Sequence, residues 1–320
     1  MKLLEPSIAD VLAARRRISA HVLRTPLRHY PSLDELLGAE VWVKHENFQV
    51  LGAFKVRGGL NLVSQSDDET RRRGFITAST GNHGQSIAFA ARAAGSSAVI
   101  YVPVGANPVK VAAMRALGAE VVEHGEIFDD AREEAEAVAA DRGMRFVHPA
   151  NEPDLIAGVG TYSLEIHEDL SGIDCIIVPV GGGSGACGAC IVTDAVSPST
   201  RVIGVQAAAA PAVYRSWKSG KPETAEMATA AEGLATKGAY ELPVSILKKR
   251  LDDFALISED RFLEAMRLMV EHTRSLVEHA GAAALGAALE MKPALKGKRV
   301  VLVASGANAT TSQLAAALAR

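Results

Sequence analysis

From Gly74 onward, short and largely apolar β-rich runs alternate with longer alanine-rich amphipathic segments. That alternation is the pattern of βαβ units, so the expected fold is α/β, doubly wound around mostly parallel sheet. The runs that read as strands are Glu40 to Lys44, Gly74 to Ala78, Ala98 to Val102, Glu120 to Glu123, Phe146 to His148, Cys175 to Val180, Arg201 to Val205 and Arg299 to Val303. Several are continuously apolar, as strands covered on both faces should be. The segments that read as helices include Ser7 to Ala20, Gly84 to Ala94, Pro108 to Leu117, Phe128 to Arg142, Leu155 to Asp169 and Glu259 to Val277. A length of 320 residues suits two domains around one cleft.

Composition excludes several functions. With 34 basic and 37 acidic residues the net charge is −3, and runs such as Arg71-Arg72-Arg73 sit beside acids, so neither nucleic acid nor a membrane surface is indicated as a partner. No signal peptide and no apolar span of about 20 residues is seen, which makes the cytoplasm the default location. Three cysteines are too few for a disulfide framework and fit a reducing compartment.

Four segments carry candidate chemistry. Cys175 to Gly188 reads as an apolar strand, the run Gly181-Gly182-Gly183-Ser184-Gly185, then a helix. Consecutive backbone N–H groups and a helix N-terminus suit a phosphate, and four glycines in five positions exceed what a tight turn requires. Gly183, Gly185 and Gly188 also satisfy the dinucleotide spacing, but the next strand ends at Gln206 where an acidic residue should take the ribose, leaving nicotinamide as the alternative cofactor. Thr77 to Gly84 is a donor-rich strand-to-helix junction that could clasp a carboxylate or phenolic oxygen, cap its helix with Ser79 or Thr80, or do both. Lys55 stands in apolar company, where burial would favour a neutral amine, although such a lysine is more often an ordinary surface residue. Ser305 follows an apolar strand, at a ligand-binding strand end or as a helix cap. Cys187 and Cys190 read as packing, and His272 and His279 are too widely spaced for a helical metal pair.

In order, these landmarks resemble the threonine dehydratase and serine racemase family of fold-type II pyridoxal-phosphate enzymes. They are Arg24-Thr25-Pro26-Leu27, Lys44 through Gly58, Ser79 through Gln85, Val178 through Gly185, Glu232-Gly233-Leu234-Ala235 and Ser305-Gly306. The resemblance implies a tryptophan-synthase-β-like architecture: a large cofactor-binding domain of residues 1–64 and 152–320, and a small mobile domain of residues 65–151. It implies that Lys55 holds pyridoxal phosphate as a Schiff base, with Phe54 beside the ring and Asn82 on the phenolic oxygen. Gly181, Gly182, Gly183, Ser184 and Gly185 would cradle the phosphate, Ser305 would meet the pyridine nitrogen, and Gly233 and Glu278 would lie near the ring. Ser79, Gly81 and His83 would dock the substrate carboxylate.

The implied reaction is β-elimination from a 3-hydroxy amino acid, threonine or serine first, giving a 2-oxo acid and ammonia. Lys55 would remove the Cα proton, and a serine at the pyridine nitrogen would favour prompt elimination over transamination. Alternatives are another hydroxy amino acid, such as 3-hydroxyaspartate or an intermediate of hydroxyectoine breakdown, an amino-acid racemase using Lys55 and Thr80 on opposite faces, and a non-catalytic ligand sensor. The chain departs from the family at Ala53, where a serine is usual, and at Glu278-His279, where Glu-Pro is usual. Gln206 and Ala212 fall where the cation-dependent members place carboxylates, so no metal site is expected. With one helix after Ser305 the chain resembles the short catabolic branch without a regulatory domain, where homodimers are usual.

Overall fold

The structure is a computed structural model and describes residues 3–319. Among these residues the strands are β1 (Leu27–His29), β2 (Glu40–Lys44), β3 (Phe75–Ala78), β4 (Ala98–Val102), β5 (Glu120–Glu123), β6 (Arg145–Phe146), β7 (Cys175–Pro179), β8 (Arg201–Ala207), β9 (Asp253–Ile257) and β10 (Arg299–Val303). They form a six-stranded sheet in the order β1-β2-β10-β7-β8-β9 and a four-stranded sheet in the order β5-β4-β3-β6. Every pairing is parallel except β1 with β2.

The inner strands β4 and β7 are apolar and buried throughout because both faces of each sheet are covered. Along β7, Ile177 packs on one face with Phe262, Met266 and Leu285, while its neighbours Ile176 and Val178 pack on the other with Tyr162, Ala186 and Cys190. The small sheet repeats this: Phe75 and Ile100 face Leu60, Ile87 and Met114, whereas Ile76 and Val99 face Ala131 and Ala135. This is the doubly wound α/β class expected from the alternation.

Local departures have local causes. The helix expected over Glu259 to Val277 stops at Thr273, because Arg274 takes a left-handed conformation with φ of 58°. The strand at 146–148 is only Arg145–Phe146, which leaves His148 in the connection beyond it. Gly58 and Gly59 lie inside a helix, Lys55–Ser64, where helix crossings leave no room for side chains. A Cβ on Gly58 would stand 2.8 Å from Leu155, and one on Gly59 2.3 Å from Ser86 Oγ. The Lys55 helix also supplies Val56, Leu60 and Val63 to the core beneath the small sheet, so it spans the seam between the two sheets.

The topology positions two loops. In the large sheet the chain runs from β7 outward to β8 and β9, then returns to place β10 on the other side of β7. The carboxyl ends of β7 and β10, which lead to Gly181 and Ser305, therefore flank a switch point, where open α/β sheets bind ligands. In the small sheet β4 and β6 lie on either side of β3, whose carboxyl end leads into Ser79 to Asn82.

Candidate active site

Lys55 is the first residue of its helix, and the backbone just before it is tied to the end of β10. Ala53 forms a bridge with Gly306, and the Phe54 N–H donates to the Ser305 carbonyl at 3.2 Å. The Lys55 Nζ donates to the Pro149 carbonyl at 3.1 Å and to Ser184 Oγ at 3.0 Å, and lies 5.4 Å from the Phe54 ring centroid. Burial alone pulls the amine down to about 8. Both hydrogen-bond partners are neutral, so no carboxylate holds the proton on. The site therefore presents a half-buried lysine with an appreciable neutral, nucleophilic fraction near neutral pH.

Ser184 opens the helix Ser184–Val196, whose first N–H groups have no intrahelical carbonyl to bind. The glycines before it are required by space. A Cβ on Gly181 would stand 2.3 Å from the Gly233 carbonyl oxygen, on Gly182 2.5 Å from Ala150, and on Gly185 3.2 Å from the Phe54 ring. Only Gly183, with φ of 100°, also needs the left-handed conformation. Glycine here lets the loop pack closely against its neighbours at a helix N-terminus, where consecutive backbone N–H groups suit a phosphate.

On the facing loop, Ser79 Oγ accepts from the N–H groups of Gly81 at 3.3 Å and Gly84 at 2.9 Å, so its hydroxyl caps the helix Asn82–Ala93. The Asn82 and His83 N–H groups at that helix start remain available to an anion. Thr80 is half-buried in the same loop. The Asn82 amide is fixed from both sides: Nδ2 donates to Glu278 Oε1 at 2.7 Å, and Oδ1 accepts from Asn308 Nδ2 at 2.7 Å. One Nδ2 proton is left to offer. Burial raises the Glu278 carboxyl against the opposing pull of Lys110 and Asn82. Glu278 is also held at close quarters, since a Cβ on Gly306 would stand 2.4 Å from its Oε1.

Two expected contacts take a different form. The His83 ring is not a charged clamp: Nε2 lies 3.1 Å from Thr77 Oγ1 and 3.3 Å from the Val147 carbonyl, and burial pulls the imidazole down to about 3. What His83 can offer a carboxylate is its backbone N–H. Ser305 Oγ donates to the Ala280 carbonyl at 3.2 Å, which leaves its lone pairs unused. Gln206 takes no ribose: its Oε1 accepts from the Tyr214 N–H at 3.0 Å and anchors the helix Ala212–Ser219. Among the described residues no group of three or more His, Cys, Asp or Glu side chains could hold a metal ion.

Sequence reasoning passed over several neighbours. Pro149 gave no signal, because it contributes a carbonyl from a segment without a motif, and Asn308, though within the run that follows Ser305, was given no role. Lys110, on the helix Pro108–Ala116, pairs with Glu232 across the two halves, and its side chain is almost wholly buried. Beneath the Lys55 helix, Arg57 binds Glu46 at 2.8 Å and Glu165 at 2.8 Å, and Lys44 binds Glu165 at 2.5 Å. This wholly internal charge cluster fixes where the helix begins.

The site thus combines a depressed lysine, a backbone phosphate cradle and a fixed amide, which are the groups needed to hold an aromatic aldehyde bearing a phosphate and a phenolic oxygen. Pyridoxal phosphate fits: Lys55 would carry it, Gly181 to Gly185 would take its phosphate and Asn82 its phenolic oxygen. Comparison with known proteins agrees. The chain is 38% identical over 303 residues to an L-threonine ammonia-lyase of Thermotoga maritima, covering 94% of this chain and 75% of that one. It is 36% identical over 311 residues to a beta-hydroxyaspartate dehydratase of Paracoccus denitrificans, covering 97% and 98%. The maize serine racemase structure superposes with a TM-score of 0.93 at 31% identity, covering 97% of this chain and 96% of that one. The family model described as "Pyridoxal-phosphate dependent enzyme" matches residues 18–306, and the chain belongs to that family.

Proposed function

We propose that this enzyme removes water from a 3-hydroxy amino acid and releases the corresponding 2-oxo acid and ammonia, with threonine and serine as its simplest substrates. The observation that carries the reading is the Lys55 amine, lowered to about 8 by burial and held between Ser184 Oγ and the Pro149 carbonyl. When bound, pyridoxal phosphate supplies an electrophilic carbon for the substrate amine and a sink for the charge left on Cα. Lys55 is the base for the Cα proton and, through its contact with Ser184, the acid that returns a proton to the departing hydroxyl. The N–H groups at the start of the Asn82 helix orient the substrate carboxylate, with Ser79, Gly81 and His83 shaping that loop. Ser305, Gly233 and Glu278 close the far side. Thr80 serves the face of Cα opposite Lys55.

The same reading assigns residues 65–151 to a small domain that closes over the substrate, and residues 1–64 and 152–320 to the cofactor-binding domain. The cytoplasm as its location is supported by three free, buried cysteines. No described helix is long and apolar enough to cross a membrane. A homodimer or larger homo-oligomer is supported by the exposed apolar side chains Leu23, Phe48, Val50 and Leu276, which surround the segment that Asn47 and Gln49 bind to Leu276 and Leu23.

The test is the cofactor-loaded protein with L-threonine and L-serine, following 2-oxo acid and ammonia together. Lys55→Ala is expected to lose the visible absorbance of covalently held cofactor and all turnover. Turnover retained in Lys55→Ala, or inversion of serine without ammonia release in the parent protein, would refute the reading.

A further inference from the structure

The helix Ser184–Val196 begins without a side-chain cap. The first of its N–H groups to reach a backbone carbonyl is that of Cys187, which donates to Gly183 at 2.9 Å. The N–H groups of Ser184, Gly185 and Ala186 come before it and are the donors that a helix start leaves for an anion. The last of these, on Ala186, shares a single peptide unit with the Gly185 carbonyl. That carbonyl is gripped from outside the helix.

The gripping group is Tyr162, on the helix Pro153–Asp169. Tyr162 is 1% exposed, and its hydroxyl donates to the Gly185 carbonyl at 3.0 Å. Burial pushes the phenol well above its ordinary range, so the hydroxyl keeps its proton. The two helices cross closely at glycines: a Cβ on Gly188 would stand 2.7 Å from Gly160 Cα, which fixes the backbone from which the hydroxyl reaches. The Tyr162 ring meets the Phe54 ring edge to face at a centroid distance of 6.2 Å. Phe54 directly precedes Lys55, and its ring lies 3.2 Å from a Cβ placed on Gly185. One buried phenol therefore touches both the glycine loop and the residue beside the lysine.

Filling the core does not by itself call for the hydroxyl. Tyr162 shares its core with Ile156, Val178, Ala186 and Cys190, where an apolar side chain would pack, whereas a buried hydroxyl must be given a partner. A donor on a carbonyl polarises the peptide and makes the N–H of the same unit a stronger donor. We propose that Tyr162 is a positioning residue for the cofactor phosphate: its hydroxyl fixes the Gly185–Ala186 peptide and strengthens the Ala186 N–H that faces the phosphate. This role rests on the phosphate seat at Gly181 to Gly185 and is independent of the elimination reading, because it holds whichever amino acid is the substrate.

The test takes the full chain without cofactor, as parent and as Tyr162→Phe, and titrates each with pyridoxal phosphate and with pyridoxal, which has the same ring and aldehyde but no phosphate. Binding is read from the visible absorbance of the aldehyde held by Lys55. Tyr162→Phe should weaken pyridoxal phosphate about fivefold, the effect of one lost hydrogen bond, and pyridoxal less than about twofold. A second measurement needs no aldehyde: inorganic phosphate should raise the melting temperature of the parent more than that of Tyr162→Phe at the same concentration. Equal weakening of the two aldehydes would make Tyr162 a packing residue and overturn the role. Unchanged affinity for pyridoxal phosphate, or an equal response of both proteins to inorganic phosphate, would overturn it as well. No amino acid is present in either measurement, so failure here leaves the elimination reading standing, and failure of that reading leaves this role standing.

Discussion

At the scale of single residues, Lys55 shows how an ordinary side chain becomes a reactive one. Burial opposes the ammonium form, and its two partners are a carbonyl and a hydroxyl, neither of which carries charge to restore it. Below about 8 the neutral fraction falls tenfold for each pH unit, and above it the fraction saturates. The rate at which cofactor-free protein captures pyridoxal phosphate is accordingly expected to rise with that slope from pH 6 and to level off above about 8, as followed by the growth of visible absorbance. Because the folded state binds the lysine proton less tightly than the unfolded chain, the cofactor-free protein should also gain stability as pH rises through and beyond about 8. The glycine cradle makes a second prediction. A methyl at Gly181 meets the Gly233 carbonyl oxygen at 2.3 Å, a backbone atom that cannot step aside like a flexible side chain. Gly181→Ala is expected to cost about 1–3 kcal/mol, the usual range for overpacking. It should weaken cofactor retention by at least tenfold on dialysis, the loop having to move away from its phosphate.

At the scale of elements, the internal charge cluster decides where the Lys55 helix starts. Arg57 on that helix, Lys44 at the end of β2, Glu46 just after it and Glu165 on the helix Pro153–Asp169 are mutually paired. Burial alone would raise the Glu46 carboxyl, yet Arg57 and then Lys44 hold it below its usual range, so the cluster is ionised and compensated. Removing one partner leaves charge buried and unpaired, at a cost of about 3–5 kcal/mol. Glu165→Gln should lose that much in chemical denaturation, and an unchanged midpoint would show that the cluster does not anchor the helix. Elements of this kind divide into those the sequence announces and those it conceals. The inner strands β4, β7 and β10 are readable because double burial makes them continuously apolar. The outer strands β1 and β9 are not: Leu27–His29 is largely exposed, and Asp253–Ile257, though apolar after Asp253, is only partly buried, since an edge faces solvent. The helix His279–Glu290 is hidden for the opposite reason, since ten of its residues are buried and it has no polar face to set a period. The Lys55 helix is hidden by glycines that oppose helix locally and are explained only by Leu155 and Ser86 from other helices. The candidate site divides the same way: the glycine loop and Asn82 form motifs, whereas Lys110 and the Pro149 carbonyl join it only through the fold.

At the scale of the whole molecule, the two sheets present their loops to one another, and Lys110 with Glu232 links the two halves beside them. Lys110 rises from the helix that follows β4 of the small sheet, near enough to the Ser79–Asn82 loop that a Cβ on Gly81 would stand 4.0 Å from its Nζ. Glu232 lies in the segment whose next residue, Gly233, abuts Gly181 of the phosphate cradle. The pair therefore ties the Ser79–Asn82 loop to the Gly181–Gly185 loop, and the closure proposed for residues 65–151 would be felt at both. Lys110 is buried but Glu232 is about one-third exposed, so solvent weakens the attraction and the tie is worth about 0.5–1 kcal/mol. Glu232→Gln should then raise KM for the amino-acid substrate by about two- to fivefold, the range to which that energy corresponds, because the open arrangement gains population before binding. Its kcat should change less, since the groups around Lys55 are untouched. High salt should reproduce part of the effect in the parent enzyme and little of it in the variant. A matching fall in kcat with KM unchanged would instead place the pair in the chemical step and remove it as a tie between the halves.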